Sequence, residues 1–249
     1  MTVTVYTRLD KYLADNGYAG NAERGRSLIE SGKIMVNGQV ITSAAFPMHN
    51  TFKLEVVQDD QPWISKDGLK LDYALQAFGV KPKGRVVIDI ACGAGGFANV
   101  LLHQDIKHVY CVESSNGSLP DILRADERLT ALEETDPRQL TAAMFKDKPD
   151  LIVCGVHFMS MKDALPEIMD LAASGTDLVA VIMPQYEVDS PDVILMGGVV
   201  VDPELHREAC AIIETWLRDD MKWTIKGFTP NPVATDNGNR EFFVHARKP

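Results

Sequence analysis

The stretch Asp89-Ile90-Ala91-Cys92-Gly93-Ala94-Gly95-Gly96-Phe97 lies between an apolar strand pattern, Arg85 to Ile90, and a helical pattern, Phe97 to His103. Glycines let a backbone turn tightly and approach a ligand closely at the carboxyl end of a first strand. The next strand pattern, His108 to Val112, runs into Glu113. A carboxylate there suits the two ribose hydroxyls of an adenosine. The spacing is Gly93-x-Gly95-Gly96 and not GxGxxG. Strand, loop, helix and acidic second strand together fit an S-adenosylmethionine pocket better than a dinucleotide pocket. A dinucleotide site, or a tight turn with no ligand, is the alternative.

Outward from this loop the pattern continues. Strands fit Asp150 to Cys154, Asp177 to Met183, Trp223 to Phe228 and Glu241 to Ala246, with helices over Met161 to Ala173 and Pro203 to Arg218. Strands alternating with helices predict a doubly wound α/β sheet. Toward the N-terminus the grammar differs. Leu9, Tyr12 and Leu13 have helical spacing, and a second helix fits Ala22 to Ser31 with Leu28 and Ile29 inward and Gly32 as its stop. Lys33 to Ile41 reads as strand, Asn37-Gly38 turn and strand, and Phe52 to Val57 as a further strand. The polar stretch Gln58 to Pro62 marks the boundary, giving domains 1–60 and 61–249.

The chain has 249 residues, 45% of them hydrophobic, which is ordinary for a globular protein. No run approaches the length of a membrane span; the best, Val193 to Val201, is interrupted by two glycines. The start MTVTVYTRLD has no basic segment leading into an apolar run, so no secretory signal is expected. Cys92, Cys111, Cys154 and Cys210 form no CxxC pair, which predicts reduced thiols and neither a zinc site nor a disulfide framework. Net charge is −10. Residues 1–60 carry six Lys/Arg and seven Asp/Glu, so most of the acidic excess belongs to the larger part. Any RNA contact must then use a local basic patch and not the overall field.

Two sets of residues together resemble a known family. Arg8-Leu9-Asp10, Leu28-Ile29, Gly32 and Val36-Asn37-Gly38 resemble the S4 RNA-binding fold. Residues 64 to 243 resemble the methyltransferase part of the TlyA (hemolysin A) family. The matching pieces include Ile64-Ser65, Gly68-Leu69-Lys70-Leu71, Asp89, Gly95-Gly96-Phe97, Phe158, Pro184-Gln185-Tyr186-Glu187, Gly197-Gly198-Val199-Val200, Asp202-Pro203, His206 and Asn239-Arg240-Glu241-Phe242. The resemblance implies a Rossmann-like class I methyltransferase domain, α/β, preceded by a small α+β S4 domain. It implies S-adenosylmethionine as cofactor, ribosomal RNA or a ribosomal subunit as partner, and ribose 2′-O-methylation as the reaction. A cytoplasmic protein with no membrane partner and no metal is expected.

The resemblance also implies a Lys-Asp-Lys-Glu catalytic set. A ribose hydroxyl is weakly acidic, a nearby lysine favours its alkoxide, and carboxylates orient that lysine. The first lysine falls on Lys70 and the glutamate on Glu241, while the other two positions hold Gly155 and Met183. The alternative reading is therefore a catalytically impaired relative that binds RNA or a ribonucleoprotein. His157, two residues past Gly155, is a candidate substitute base; Lys66 and Lys162 lie nearby in sequence. The expected cofactor-binding set is Asp89, Gly93, Gly95, Gly96, Phe97, Glu113 and Asp136. The expected RNA-binding set is Arg8, Lys11, Arg24, Arg26 and Lys33. Where S4 modules carry a Ser-Arg pair, this chain has Asn21-Ala22, and Val201 replaces a basic residue of the family.

Overall fold

The computed structural model describes residues 6–16, 18–19, 22–30, 32–56, 63–116, 119–189, 198–235 and 238–249. The chain divides into two compact units, Met1–Pro62 and Trp63–Pro249. The stretch Gln58 to Pro62 and most of the apolar run Val193 to Val201 lie outside the described residues.

In the first unit β1 (Thr7–Arg8) leads into α1 (Leu9–Asp15) and α2 (Ala22–Glu30). Then come β2 (Ile34–Val36), β3 (Gln39–Ile41), β4 (Pro47–Met48) and β5 (Leu54–Val56). Asn37 and Gly38 have φ of 51° and 80°, the paired positive angles of a tight hairpin turn between β2 and β3. Leu9, Leu13, Ile29, Ile34, Val36 and Met48 form the core. Leu28, expected inward, is only partly buried, because Ile29 takes the core-facing position.

The second unit opens with α3 (Lys66–Phe78), capped by Ser65 and closed by Gly79 in the left-handed region. It continues with β6 (Val86–Ile90), α4 (Gly96–His103), β7 (His108–Val112), α5 (Asp121–Arg124), β8 (Leu129–Leu132) and β9 (Leu151–Cys154). Two short helices follow, α6 (Met161–Ala164) and α7 (Pro166–Leu171), where one helix was expected. Pro166 explains the break: it has no N–H to donate and its fixed φ starts a new helix. The rest is β10 (Asp177–Ile182), α8 (Pro184–Glu187), α9 (Pro203–Thr215), β11 (Thr224–Pro230) and β12 (Phe242–Arg247). Past Thr215 the ninth helix widens into a π turn, Trp216–Asp220.

The strands form one sheet in the order β11-β12-β10-β9-β6-β7-β8. Strands β10, β9, β6, β7 and β8 pair in parallel. β12 is antiparallel to both its neighbours, so β11 again runs with the majority. Alternation along each strand sends side chains to two cores. Val86, Ile88 and Ile90 join one. Val87, Val153, Val181, Cys111 and Phe243 join the other, with residues of α3 and α4. That second face positions the site.

Candidate functional site

Counting by twos from the second core places one residue at the end of each strand on the same face. From Val87 the step reaches Asp89, from Cys111 Glu113, from Val153 Gly155, from Val181 Met183, and back from Phe243 Glu241. Val181 pairs with Phe243 and Ile182 with Phe242, so the continued register sets Met183 opposite Glu241. These five positions border the carboxyl ends of β6, β7, β9 and β10, the usual ligand crevice of such a sheet.

Asp89 has no exposed surface, and neither carboxylate oxygen has a hydrogen-bond partner. Burial, then the nearby Asp67 and Glu113 carboxylates, hold it well above the ordinary carboxyl range; the Ala98 N–H pulls the other way without reaching full hydrogen-bond geometry. An orphaned carboxylate is costly to bury and points to a ligand group that completes it.

The loop after Asp89 is held by backbone bonds from Gly95 N to Cys92 O (2.8 Å) and from Cys92 N to Val112 O (3.1 Å). Gly93 donates its N–H to Glu113 Oε2 (2.9 Å), and the Ser115 N–H donates to Oε1 (3.2 Å). The three glycines differ in purpose. A side chain on Gly93 would meet nothing within 4 Å, so this residue borders open space. One on Gly95 would come within 2.3 Å of Leu123, and one on Gly96 within 2.2 Å of Ser65 Oγ. Phe97 is buried beneath the loop. An orphaned acid, open space over Gly93 and a second-strand carboxylate fit the ammonium, adenosine and ribose parts of S-adenosylmethionine.

Lys70 and Glu241 meet across the chain. Lys70 Nζ lies 3.0 Å from Glu241 Oε2 and 3.1 Å from Asp67 Oδ1. Burial alone would lower the Lys70 pKa, but Glu241 and Asp67 outweigh it and hold it above the usual lysine value. Asn231 Nδ2 donates to Glu241 Oε2 (2.8 Å). Met183 is buried beside this network, 7% exposed, and brings no charge to it. At Gly155 an added Cβ would make ordinary contact, 3.5 Å from the Phe97 ring and 4.0 Å from Ala91 O.

Other expected residues lie elsewhere or are already engaged. His157 is exposed and stacks edge-on with Phe158 at 5.7 Å. Lys66 is exposed and Lys162 half-buried. Asp136 caps a short helix; Arg138 grips both its oxygens (2.6–3.1 Å) and holds its pKa down at about 2. In the first unit Asp10, nearly buried, accepts from Arg8 Nε and Nη2 (3.1 and 2.7 Å), with Arg26 Nη2 at 3.5 Å. Lys11 is exposed and Lys33 half-buried; the side chain of Arg24 lies outside the described residues. The four cysteines are free, and burial pushes the Cys154 thiol up to about 12. Among the described residues no three His, Cys, Asp or Glu cluster as metal ligands, and no helix is long and apolar enough to cross a membrane.

Sequence reasoning missed four residues. Asp67 and Asn231 complete the Lys70–Glu241 network. Glu187, buried, accepts from Ser160 Oγ (2.6 Å) and Met161 N (2.8 Å), tying the segment after β9 to the one after β10. Asn239 accepts from Val200 N (2.8 Å) and donates to Gly198 O (3.0 Å), fixing the segment before α9 to the start of β12. Glu187 and Asn239 stand in the quoted motifs, which was the available signal; nothing local marked Asp67 or Asn231.

A parallel sheet with one antiparallel strand near its edge, a glycine-rich first loop and an acid ending the second strand define a Rossmann-like class I methyltransferase domain. An FtsJ-like methyltransferase model matches residues 63–248, and an S4 domain model matches residues 7–49. The chain belongs to the TlyA (hemolysin A) family. It is 32% identical to the 16S/23S rRNA (cytidine-2′-O)-methyltransferase TlyA of Mycobacterium tuberculosis, over 96% of this chain and 89% of that one. It is 30% identical to Hemolysin A of Brachyspira hyodysenteriae, over 96% and 98%. A solved structure described as a hemolysin from Streptococcus thermophilus superposes with TM-score 0.75 at 25% identity, covering 99% of this chain and 90% of that one.

Proposed function

We propose that this chain binds S-adenosylmethionine over Asp89–Phe97 and is directed to ribosomal RNA, with ribose 2′-O-methyl transfer absent or very slow. The observation that carries this reading is Met183 opposite Glu241. An apolar side chain stands where the family places a lysine, and Gly155 supplies no carboxylate to orient one.

When bound, the cofactor supplies a methyl group on a sulfonium, ready for in-line attack by a nucleophile. Asp89 would counter its ammonium, Glu113 its ribose hydroxyls, and Gly93 would leave room for it. Asp136 stands as an expected contact only after yielding its bonds to Arg138. On the acceptor side, Lys70 is shared between two carboxylates, so its charge is largely satisfied within the protein. The Lys70–Glu241–Asp67 network then offers no spare charge to favour the alkoxide of a ribose hydroxyl, and such preorganised groups each contribute ~10²–10³-fold to a rate. RNA would be held through the S4 unit by Arg8, Lys11, Arg26 and Lys33, with Arg24 as a further candidate. Ribosomal RNA is the substrate named for the Mycobacterium tuberculosis relative, which also supports a cytoplasmic setting.

The test is incubation with labelled S-adenosylmethionine and total ribosomal RNA, with the label traced to base or ribose, beside calorimetric titration of the cofactor. Cofactor binding without ribose labelling supports the proposal. Robust ribose labelling overturns its catalytic half and points to His157 or another group as the base.

A further inference from the structure

Tyr6, His49 and Phe52 form a ring cluster on the first unit. Their centroids are 5.5 Å apart for Tyr6–His49, 6.1 Å for His49–Phe52 and 6.3 Å for Tyr6–Phe52. The register of the β1–β4 ribbon brings them together. Thr7 pairs with Met48 and Arg8 with Pro47, so the next step sets Tyr6 opposite His49. Met48 points into the core, which turns Tyr6, Arg8 and His49 to the outer face by alternation. Phe52 packs against the core and roots the cluster. The Thr51 N–H donates to His49 Nδ1 (3.2 Å), which fixes the middle ring. Tyr6 is the outer end and is 54% exposed.

The same strand supplies a fixed cation. Arg8 stands two residues from Tyr6, about 6.6 Å along an extended chain. Its guanidinium is forked onto Asp10, whose side chain is only 5% exposed, yet Arg8 itself stays 54% exposed. Arg26 shares the same carboxylate. Two arginines on one buried acid leave a net positive charge held in place beside an exposed ring. A ring face with a positioned guanidinium one nucleotide's reach away matches an unpaired nucleotide, whose base stacks and whose phosphate pairs with arginine. Tyr6 is not among the core residues of this unit, and more than half of its surface faces solvent.

We propose that the Tyr6–His49–Phe52 cluster is a stacking platform for an unpaired RNA base, with Arg8 on the phosphate of that nucleotide. This rests on the reading of the chain as RNA-directed. The platform adds stacking to an RNA-binding unit that is poor in net charge.

The experiment is fluorescence anisotropy of the full chain with two labelled probes: an RNA hairpin with a single-stranded tail, and a fully paired hairpin of equal phosphate number. Tyr6→Ala should weaken the tailed probe about tenfold or more at every salt concentration, leaving the paired probe and the thermal midpoint unchanged. Tyr6→Trp should bind the tailed probe as the parent does. Arg8→Gln should weaken both probes and flatten the salt slope. Unchanged binding of the tailed probe by Tyr6→Ala overturns the proposal and leaves the ring surface to a protein. Equal weakening of both probes by Tyr6→Ala overturns it as well. Binding of neither probe by the parent protein takes down the RNA reading itself, and this proposal with it.

Discussion

Lys70 and Glu241, 171 positions apart in sequence, form a buried ion pair with Nζ to Oε2 at 3.0 Å. The pair joins the first helix of the second unit to the start of its last strand. Asp67 and Asn231 close the network around it. Breaking a buried pair by removing one partner leaves a charge uncompensated and costs about 3–5 kcal/mol. Retention of Lys70 and Glu241 is therefore as well explained by stability as by catalysis.

The cofactor proposal gives a graded set of expectations. The parent protein should bind S-adenosylmethionine or its demethylated product at micromolar levels, read by calorimetry. Gly95→Val should weaken binding, because Gly95 has φ of 79° and a side chain there meets Leu123 and Leu119. Glu113→Ala should weaken it by removing the ribose partner and freeing the Gly93 N–H. Gly93→Ala is a second probe: its added methyl enters open space, while φ of 51° at Gly93 sets a backbone cost of about 1–2 kcal/mol that the folding check must absorb. If Gly93→Ala folds normally and binds as the parent does, the ligand does not occupy that space. No heat with the parent protein counts against the cofactor assignment.

At the opposite end of the sheet, Asp177 accepts from Arg85 Nη1 (2.7 Å) and lies 2.9 Å from His245 Nε2. Burial alone would raise the Asp177 pKa, but these two partners outweigh it and hold it below the usual value. A carboxyl depressed in the folded state adds stability wherever it is ionised in both states. That contribution is full above the unfolded value, about pH 4, and is lost as pH falls through the folded one. Asp177→Asn should cost about 1.5–3 kcal/mol near neutrality and much less near pH 3. Urea unfolding of both proteins at the two pH values measures it; an equal loss at both would show that packing, not charge, is at stake.

The fold was legible where pattern and length agree. The Asp89–Phe97 loop, the strand into Glu113 and the Asn37-Gly38 hairpin each carry a local chemical reason, and the structure places them as read. Pro166 was visible too, but a continuous apolar periodicity masked its effect. What stayed hidden depends on contacts between distant segments. Asp67 carried no signal of its own, because its role emerges only when α3 sets it beside Lys70 and Glu241. Arg8 and Arg26 read as free cations because nothing local shows that Asp10 is buried between them. The ring cluster needs the β1–β4 register, and strands of two residues leave no period to count.

The engagement of Arg8 and Arg26 by Asp10 bears on RNA affinity. Asp10 cancels one of the two charges that Arg8 and Arg26 bring, and residues 1–60 carry no net positive charge, so binding should be weak with a shallow salt dependence. Arg26→Ala or Lys33→Ala should reduce it about uniformly across sequences. Anisotropy against ribosomal RNA fragments over a range of salt reads both the affinity and the slope. Tight binding that survives high salt would contradict this account, as would affinity unchanged after residues 1–60 are removed.

The sharpest expectation concerns Gly155 and Met183. Both lie on the face that carries Asp89 and Glu241, and Gly155 has room for a side chain beside Phe97. On the proposed reading the defect is then one of local electrostatics and not of shape. Met183→Lys alone should restore little. Glu241 is already occupied by Lys70 and Asn231, so a new lysine there finds no free carboxylate and tends to lose its proton or swing away. Gly155→Asp alone adds an acid with no cation to orient and should also stay silent. The double change supplies both, and measurable 2′-O-methyl transfer to ribosomal RNA is expected only then. The readout is label in alkali-resistant dinucleotides, with cofactor and RNA binding measured on the same preparations. Should the double variant bind both partners and remain inactive, the loss lies in how the acceptor ribose is placed against the methyl group and not in the two missing side chains.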